Sequence, residues 1–248
     1  MVAENTAPAT EPRPFGGAEE LAQADRRSQT STETPAGPHA TLRALPAKVV
    51  LIYDVLAGDG GFNLGQATYT WQVDGERYRL ESVAEATGMA ALFMSGRITQ
   101  TSEGRVDGHG LLPQQFTQTK KRTDRAVFDW QQRQLVMDRG TEPLSAGVQD
   151  LLSFAFHLAM TVGGQSDEWH MAVTNGRKIR NYLFRVLGRE TVRVGRENLD
   201  AVHVQGSRAG EGTLDVWLAP GRHWLPVRIR TLDQKGSLVE LTLEKQVF

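Results

Sequence analysis

FNLGQATYTWQVDGERYRLESVAEA, residues 62–86, decides how the rest of the chain is read. From Ala67 onward the large apolar side chains fall on alternate positions, with Tyr69, Trp71 and Val73 on one side and Thr68, Thr70 and Gln72 on the other. Successive side chains of an extended chain point to opposite faces, so this is the pattern of a strand with one covered face. Asp74-Gly75 then supplies a reversal whose residues accept positive φ. On the return, Tyr78, Leu80, Ser82 and Ala84 resume the alternation, and the two runs pair antiparallel.

The same pattern extends in both directions. Lys48 to Leu56 is an apolar, β-branched run interrupted by the loop Ala57 to Gly61. Downstream, a strand runs through Gly96 to Glu103, preceded by the apolar Ala90 to Met94. Asp107 to Gly110 turns into Leu111 to Gln118, where Pro113 near the start implies an edge or entry position because it cannot donate to a ladder. Lys120 to Thr123 connects to Ala126–Trp130, and Leu135–Met137 pairs back. After residue 168 come strands at Glu168–Val173, Arg177–Leu187, Glu190–Val194, Leu199–Gly206, Thr213–Leu218, Leu225–Arg230 and Ser237–Leu243, with reversals at Asn175-Gly176, near Gly188 and at Ala219 to Gly221.

One helix stands among these strands. It starts near Gly147, with the carboxylate of Asp150 placed to meet unpaired amides at its positive end. Leu151, Leu152, Phe154, Ala155, Leu158 and Ala159 recur at helical spacing, and Thr161 to Gly164 ends it. An apolar helix stripe must lie on something, and the sheet is the available partner. The expected fold is therefore mainly β: a single strongly curved antiparallel sheet, an open or half β-barrel, over residues 45–248, with one main helix packed near its concave face. Residues 1–44 are rich in Ala, Pro, Glu and Thr and hold too little apolar surface to offset their ordering entropy, so they read as a disordered tail or linker.

Composition narrows the function. The chain has 248 residues, with 28 basic and 29 acidic side chains for a formal charge of -1, so no field over the whole molecule draws in nucleic acid. Cysteine is absent, which removes disulfides, thiolate nucleophiles and cysteine metal sites. Neither a signal-peptide pattern at Met1 nor an apolar run long enough to span a bilayer is visible. Basic residues do cluster, at Lys120, Lys121, Arg122 and Arg125 and again at Arg177, Lys178, Arg180 and Arg185, as a solvated face or a local anion-facing patch. Neither cluster has the interleaved aromatics of a single-strand nucleic-acid reader.

Residues that carry chemistry are scattered. The histidines are His39, His109, His157, His170, His203 and His223, without a His-Glu-x-x-His spacing. His170 and His203 are the pair a sheet would bring together beside an acid such as Asp215, whereas His157 reads as a core-flanking histidine with one hydrogen bond. Ser95 and Ser207 lack a Gly-x-Ser-x-Gly elbow. Asp54, Glu81 and Glu85 have only the spacing of any strand's polar face, and the glycine-rich loops at 58–61 and 206–212 lack the context of a phosphate loop. No catalytic, cofactor-binding or metal residue is assigned, and no cofactor is expected. The aromatic set Tyr69, Trp71, Phe93, Phe116, Phe128, Trp130, Trp169, Trp217 and Trp224, with Met94, either forms the core or lines an incompletely filled concavity able to take a lipid or other apolar ligand.

Several of these segments together resemble a known family. Gln149 to Phe154, the run Trp217-Leu218-Ala219-Pro220 through Trp224-Leu225-Pro226-Val227-Arg228-Ile229, Tyr53-Asp54-Val55, Gly65, the hairpin Asp74 to Leu80 and Gly110 to Pro113 are similar to DUF3108, a family of uncharacterised bacterial proteins. The resemblance covers roughly Leu45 to Phe248 and implies an exported or envelope-associated protein, periplasmic or envelope-bound, with a half-barrel reminiscent of periplasmic lipoprotein carriers. It transfers no functional residue. The resulting expectation is a non-enzymatic envelope protein binding a lipid-like or apolar small molecule. The alternatives are a structural or protein-interaction module with an envelope protein partner and, third, an uncharacterised hydrolase.

Overall fold

The computed structural model describes residues 42–59, 61–88, 96–163, 167–210 and 212–248. The tail expected over residues 1–44 lies almost wholly outside them, as do Phe93 and Met94. Fifteen strands are described: β1 Lys48–Ala57, β2 Phe62–Asp74, β3 Arg77–Ala86, β4 Arg97–Asp107, β5 Gly110–Thr119, β6 Thr123–Asp129, β7 Gln134–Met137, β8 Gly140–Pro143, β9 Gln149–Asp150, β10 Glu168–Thr174, β11 Ile179–Val194, β12 Glu197–Arg208, β13 Gly212–Leu218, β14 Pro226–Asp233 and β15 Leu238–Val247. One helix, α1, spans Phe154–Thr161, and a 3-10 turn spans Pro220–Arg222.

All the strands form one sheet in the order β8-β7-β6-β5-β4-β3-β2-β1-β15-β14-β13-β12-β11-β10-β9. Sequence neighbours pair antiparallel from β1 to β8 and from β10 to β15, β1 pairs antiparallel with β15 to join the two halves, and β9 pairs parallel with β10. The 62–86 hairpin forms in the expected register, with Trp71 opposite Leu80 and Val73 opposite Tyr78.

The expectation of a strongly curved sheet, an open or half barrel, is corrected. The ladder ends at the four-residue β8 on one side and the two-residue β9 on the other, and these do not pair, so the sheet is open and neither closed nor strongly curled. Alternation reports that one face of a strand is covered, but it does not report by what. Here the segment from Leu144 to Val162 supplies much of the cover, with Leu144, Val148, Leu152, Phe156 and Leu158 buried in the same apolar cluster as the strands.

The helix also differs from its sequence expectation. It begins at Phe154 rather than near Gly147, and all eight of its residues are buried, so it has no polar stripe. Asp150 lies one turn earlier, in β9, yet its carboxylate still meets unpaired amides, those of Leu152 and Ser153.

Two irregularities explain further departures. β11 is continuous for 16 residues instead of turning at Gly188, because a register shift between Val186 and Gly188 pushes Leu187 out of the ladder into solvent. Pro113 is not on the sheet edge: it pairs with Gly104 at a register shift in the β4–β5 ladder, while β5 meets β6 only from Gln115 onward. The missing N–H therefore falls where no strand pairs on that side. Gly104 is required at this point, because a Cβ there would stand 2.3 Å from the Leu112 carbonyl oxygen.

Candidate functional site

The aromatic side chains from the sequence pattern serve mostly as core. Trp71 is stacked between Tyr78 and Phe156, at centroid distances of 5.6 and 5.4 Å. Tyr53 meets Tyr69 edge-on at 5.1 Å, and Trp169 stacks on Phe184 at 6.0 Å. Such offset and edge contacts contribute beyond the area they bury. Phe116, Phe156 and Phe184 are fully enclosed. Trp130 and Trp224 are only partly buried at the margin of this cluster.

A polar knot crosses this interior. Asp150 accepts hydrogen bonds from the Ser102 hydroxyl at 2.6 Å and from the amides of Leu152 and Ser153 at 2.9 and 2.8 Å. Ser102 shares a second bond with the Tyr78 hydroxyl at 3.0 Å. Burial pushes the Asp150 carboxyl up to about 6 despite these donors. Nearby, His157 accepts the Leu111 amide at Nδ1, 3.2 Å away, and burial pulls the imidazole down to about 4. Gln149 donates to the Leu111 carbonyl at 2.9 Å. Apart from the Ser102–Tyr78 bond, which joins β4 to β3, each bond runs from the 149–157 segment to β4 or β5 or stays within that segment, so the knot fastens the cover to the sheet. His157 is the hydrogen-bonded core histidine its helical position implies.

A second cluster lies where β11, β12 and β13 adjoin. His203 is held at Nδ1 by Glu190 and at Nε2 by Asp215, both at 2.8 Å, and its ring stacks on Trp217 at 4.1 Å. Asp215 also accepts from Gln205 at 2.8 Å and Thr213 at 2.6 Å, and Trp217 donates its indole N–H to Glu190 at 2.9 Å. Arg228 and Arg230 lie over the Trp217 ring, each 5.4 Å from its centroid. Burial lowers the His203 pKa, but the hydrogen bonds to Asp215 and Glu190 outweigh it and the net direction is up. With both ring nitrogens engaged by carboxylates, His203 serves as a charged brace across three strands.

His203 thus finds Asp215, but its second partner is Glu190 instead of His170, which faces Leu183 in the neighbouring ladder. Ser207 donates to the Leu183 carbonyl at 3.4 Å. Asp54 accepts from Gln66 at 3.5 Å, Glu81 pairs with Arg79 at 2.5 Å and Glu85 with Arg97 at 3.4 Å, all on the outer surface. The Ser102–Asp150 link was hidden from sequence reasoning. Its only trace is a serine at an inward position of β4 where an apolar residue would be expected.

The two basic clusters do come together. Arg177, in the β10–β11 turn, pairs with Asp124 at the start of β6, 3.4 Å away. Beside this contact Met137, Arg139, Gly140, Glu142, Arg177, Lys178 and Ile179 line a recess of about 230 Å³. That is below the roughly 300–1,000 Å³ of ordinary small-molecule pockets. Lys120, Lys121, Arg122, Arg125, Arg139 and Lys178 are exposed, and none pairs with an acid among the described residues. Several arginines elsewhere are matched, as in Arg185–Glu168, Arg189–Asp200 and Arg222–Glu197.

The profile of a family described as a protein of unknown function, DUF3108, matches residues 52–244. No curated protein matches this chain. Among solved structures, the chain is similar to a beta-barrel-like protein of the domain of unknown function DUF1849 from Brucella abortus, at 12% identity, with a TM-score of 0.53 and coverage of 84% of this chain and 99% of that one. It also aligns with a putative outer membrane lipoprotein-sorting protein domain from Vibrio parahaemolyticus, at 9% identity over 82% of this chain and 85% of that one, with a TM-score of only 0.26.

Proposed function

Since the chain belongs to DUF3108, a family of proteins of unknown function, we propose that it is a non-enzymatic module of the bacterial cell envelope that acts through contacts on its outer surface. The observation that carries this reading is the filled interior: Trp71 between Tyr78 and Phe156 occupies the place where a carrier would keep room for its cargo. The two carboxylate-bearing clusters supply braces, since Asp150 and His203 spend their hydrogen bonds on the protein itself. Envelope placement is supported by the family resemblance read from the sequence.

An interior lipid or other apolar ligand is the competing reading. It requires the 144–162 cover to lift and the Trp71–Phe156 stack to part. Native mass spectrometry with lipid extraction separates the two. The expected result is a protein at its sequence mass with no co-purifying lipid, and a stoichiometric apolar ligand would overturn surface action in favour of carriage. Fractionation of cells expressing the natural gene is expected to recover the protein with the envelope; exclusive recovery with cytoplasmic proteins would overturn that placement.

A further inference from the structure

Five unmatched cations lie together at one end of the sheet, three of them consecutive in the chain. Thr119 pairs with Thr123 across the β5–β6 turn, and Ala126 pairs with Met137 beside the β7–β8 turn, so Lys120, Lys121, Arg122 and Arg139 share that end. The Arg177–Asp124 pair brings the β10–β11 turn, with Lys178, to the same place. The register carries this end further along the sheet. Thr99 faces Thr119, Arg97 faces Glu85 and Gly65 faces Ala86, which places the β1–β2 turn there too.

At that turn the exposed side chains are apolar. Phe62 and Val239 flank Ala57 as its partners on either side, and they are 60% and 40% exposed. Leu232, at the adjoining β14–β15 turn, is also exposed. At the opposite end the β2–β3 turn has the Glu76–Arg105 ion pair and Arg222 near the 3-10 turn is paired with Glu197, while Arg77, Arg133 and Arg196, unpaired among the described residues, stand singly at separate turns and Phe248 is exposed at the end of the chain. Unpaired positive charge and exposed apolar side chains therefore share one row of turns contributed by strands distant in sequence.

We infer that this end of the sheet docks on an anionic lipid bilayer, with Lys120, Lys121, Arg122, Arg139 and Lys178 against the headgroups and Phe62 and Val239 entering the interface. The inference rests on the surface-acting envelope reading and names its partner. A bilayer suits the arrangement because cations near an anionic membrane add attraction individually, without a fitted groove, while apolar tips add burial in the acyl boundary. An acidic protein would use the charges but leave the Phe62 row without a role.

The test is sedimentation of the purified full chain with phosphatidylcholine vesicles, with and without phosphatidylglycerol. Binding is expected only when phosphatidylglycerol is present, and high salt is expected to weaken it. The triple variant Lys120→Glu/Lys121→Glu/Arg122→Glu is expected to bind about tenfold more weakly or worse, with an unchanged circular dichroism spectrum. Phe62→Ser is expected to weaken binding while keeping its salt dependence, and Arg196→Glu in the β11–β12 turn at the opposite end to leave it intact.

Equal binding to both vesicle types, no binding to either, or full binding by the triple variant would overturn the docking proposal. So would capture by immobilised poly-glutamate without capture by phosphatidylglycerol vesicles, which would assign the patch to an acidic protein. Native mass spectrometry of protein recovered from the vesicles keeps the two readings apart. Phospholipid retained inside the protein, with charge-dependent docking intact, would sink the surface-only reading and leave the docking surface standing.

Discussion

The Asp150 carboxylate on β9 accepts a 2.6 Å hydrogen bond from the Ser102 hydroxyl on β4, and both side chains are fully buried. In the ladder these strands lie far apart, so the bond is made through the interior. It ties the short final strand, and the helix that follows it, to the middle of the other half of the sheet.

Ser102→Ala removes this donor and also a partner of Tyr78, while Asp150 retains the amides of Leu152 and Ser153. A buried polar group deprived of one partner costs about 1–3 kcal/mol. Urea denaturation is expected to show a loss in that range, with the slope of free energy against urea unchanged. A smaller midpoint shift than a surface serine produces would remove the link from the stabilising set.

Asp150 and His157 drive pH dependence in opposite directions. The Asp150 carboxyl is raised to about 6, so the folded state holds more protons than the unfolded state between about 4 and 6, and this group's contribution falls as pH rises through that window. His157 is lowered to about 4, so its contribution is full above about 6.5 and is lost as pH falls toward its folded value. Each shift is of order 3 kcal/mol, so stability between pH 4 and 6 is expected to be nearly flat. Asp150→Asn should uncover a steep loss on acidification, and His157→Asn a gain relative to its own value at neutral pH. Denaturation of both variants across this range checks the pair, and parallel slopes would contradict it.

His203 acts in a different window. Because its folded pKa is raised, its contribution is complete below the unfolded imidazole value of about 6.5 and disappears as pH climbs past the higher folded value. His203→Gln keeps two polar ends but carries no charge, so the decline in stability above neutrality should vanish and the midpoint near pH 6 should drop. Thermal melts at pH 6 and pH 9 read both effects.

Arg43 closes the carboxyl end of α1. Its guanidinium donates to the Val162 carbonyl and lies 3.7 Å from the centroid of the Trp224 ring, while its amide donates to the Met160 carbonyl at 3.0 Å. Trp224 and His223 hold left-handed backbone at φ 61° and 57°, a conformation that persists only when its surroundings over-determine it. Arg43→Ala is expected to cost about 1–2 kcal/mol, from a lost cation–π contact and a lost charge at the helix carboxyl end. It should also shift tryptophan emission to the red. An unchanged emission maximum would mean that Trp224 is sheltered by other groups.

Glycine positions and side-chain alternation decided the strands from the sequence alone. Residues 62–86 already contain the hairpin, its register and its covered face, because a period of two and a turn that needs positive φ are local properties. Asn175-Gly176 shows the same, with Gly176 at φ 81° and Asn175 Oδ1 accepting the Arg177 amide at 3.0 Å. What covers the sheet, where the ladder stops, and which charged groups meet are not local. The fully buried helix and the open ends at β8 and β9 are set by the whole fold, and the Ser102–Asp150 bond and the Arg177–Asp124 pair join residues 48 and 53 positions apart; across such separations, sequence pattern specifies only that a side chain must be buried or satisfied. The partner that satisfies it is selected by packing the whole chain at once, which is why Glu190 rather than His170 closes on His203.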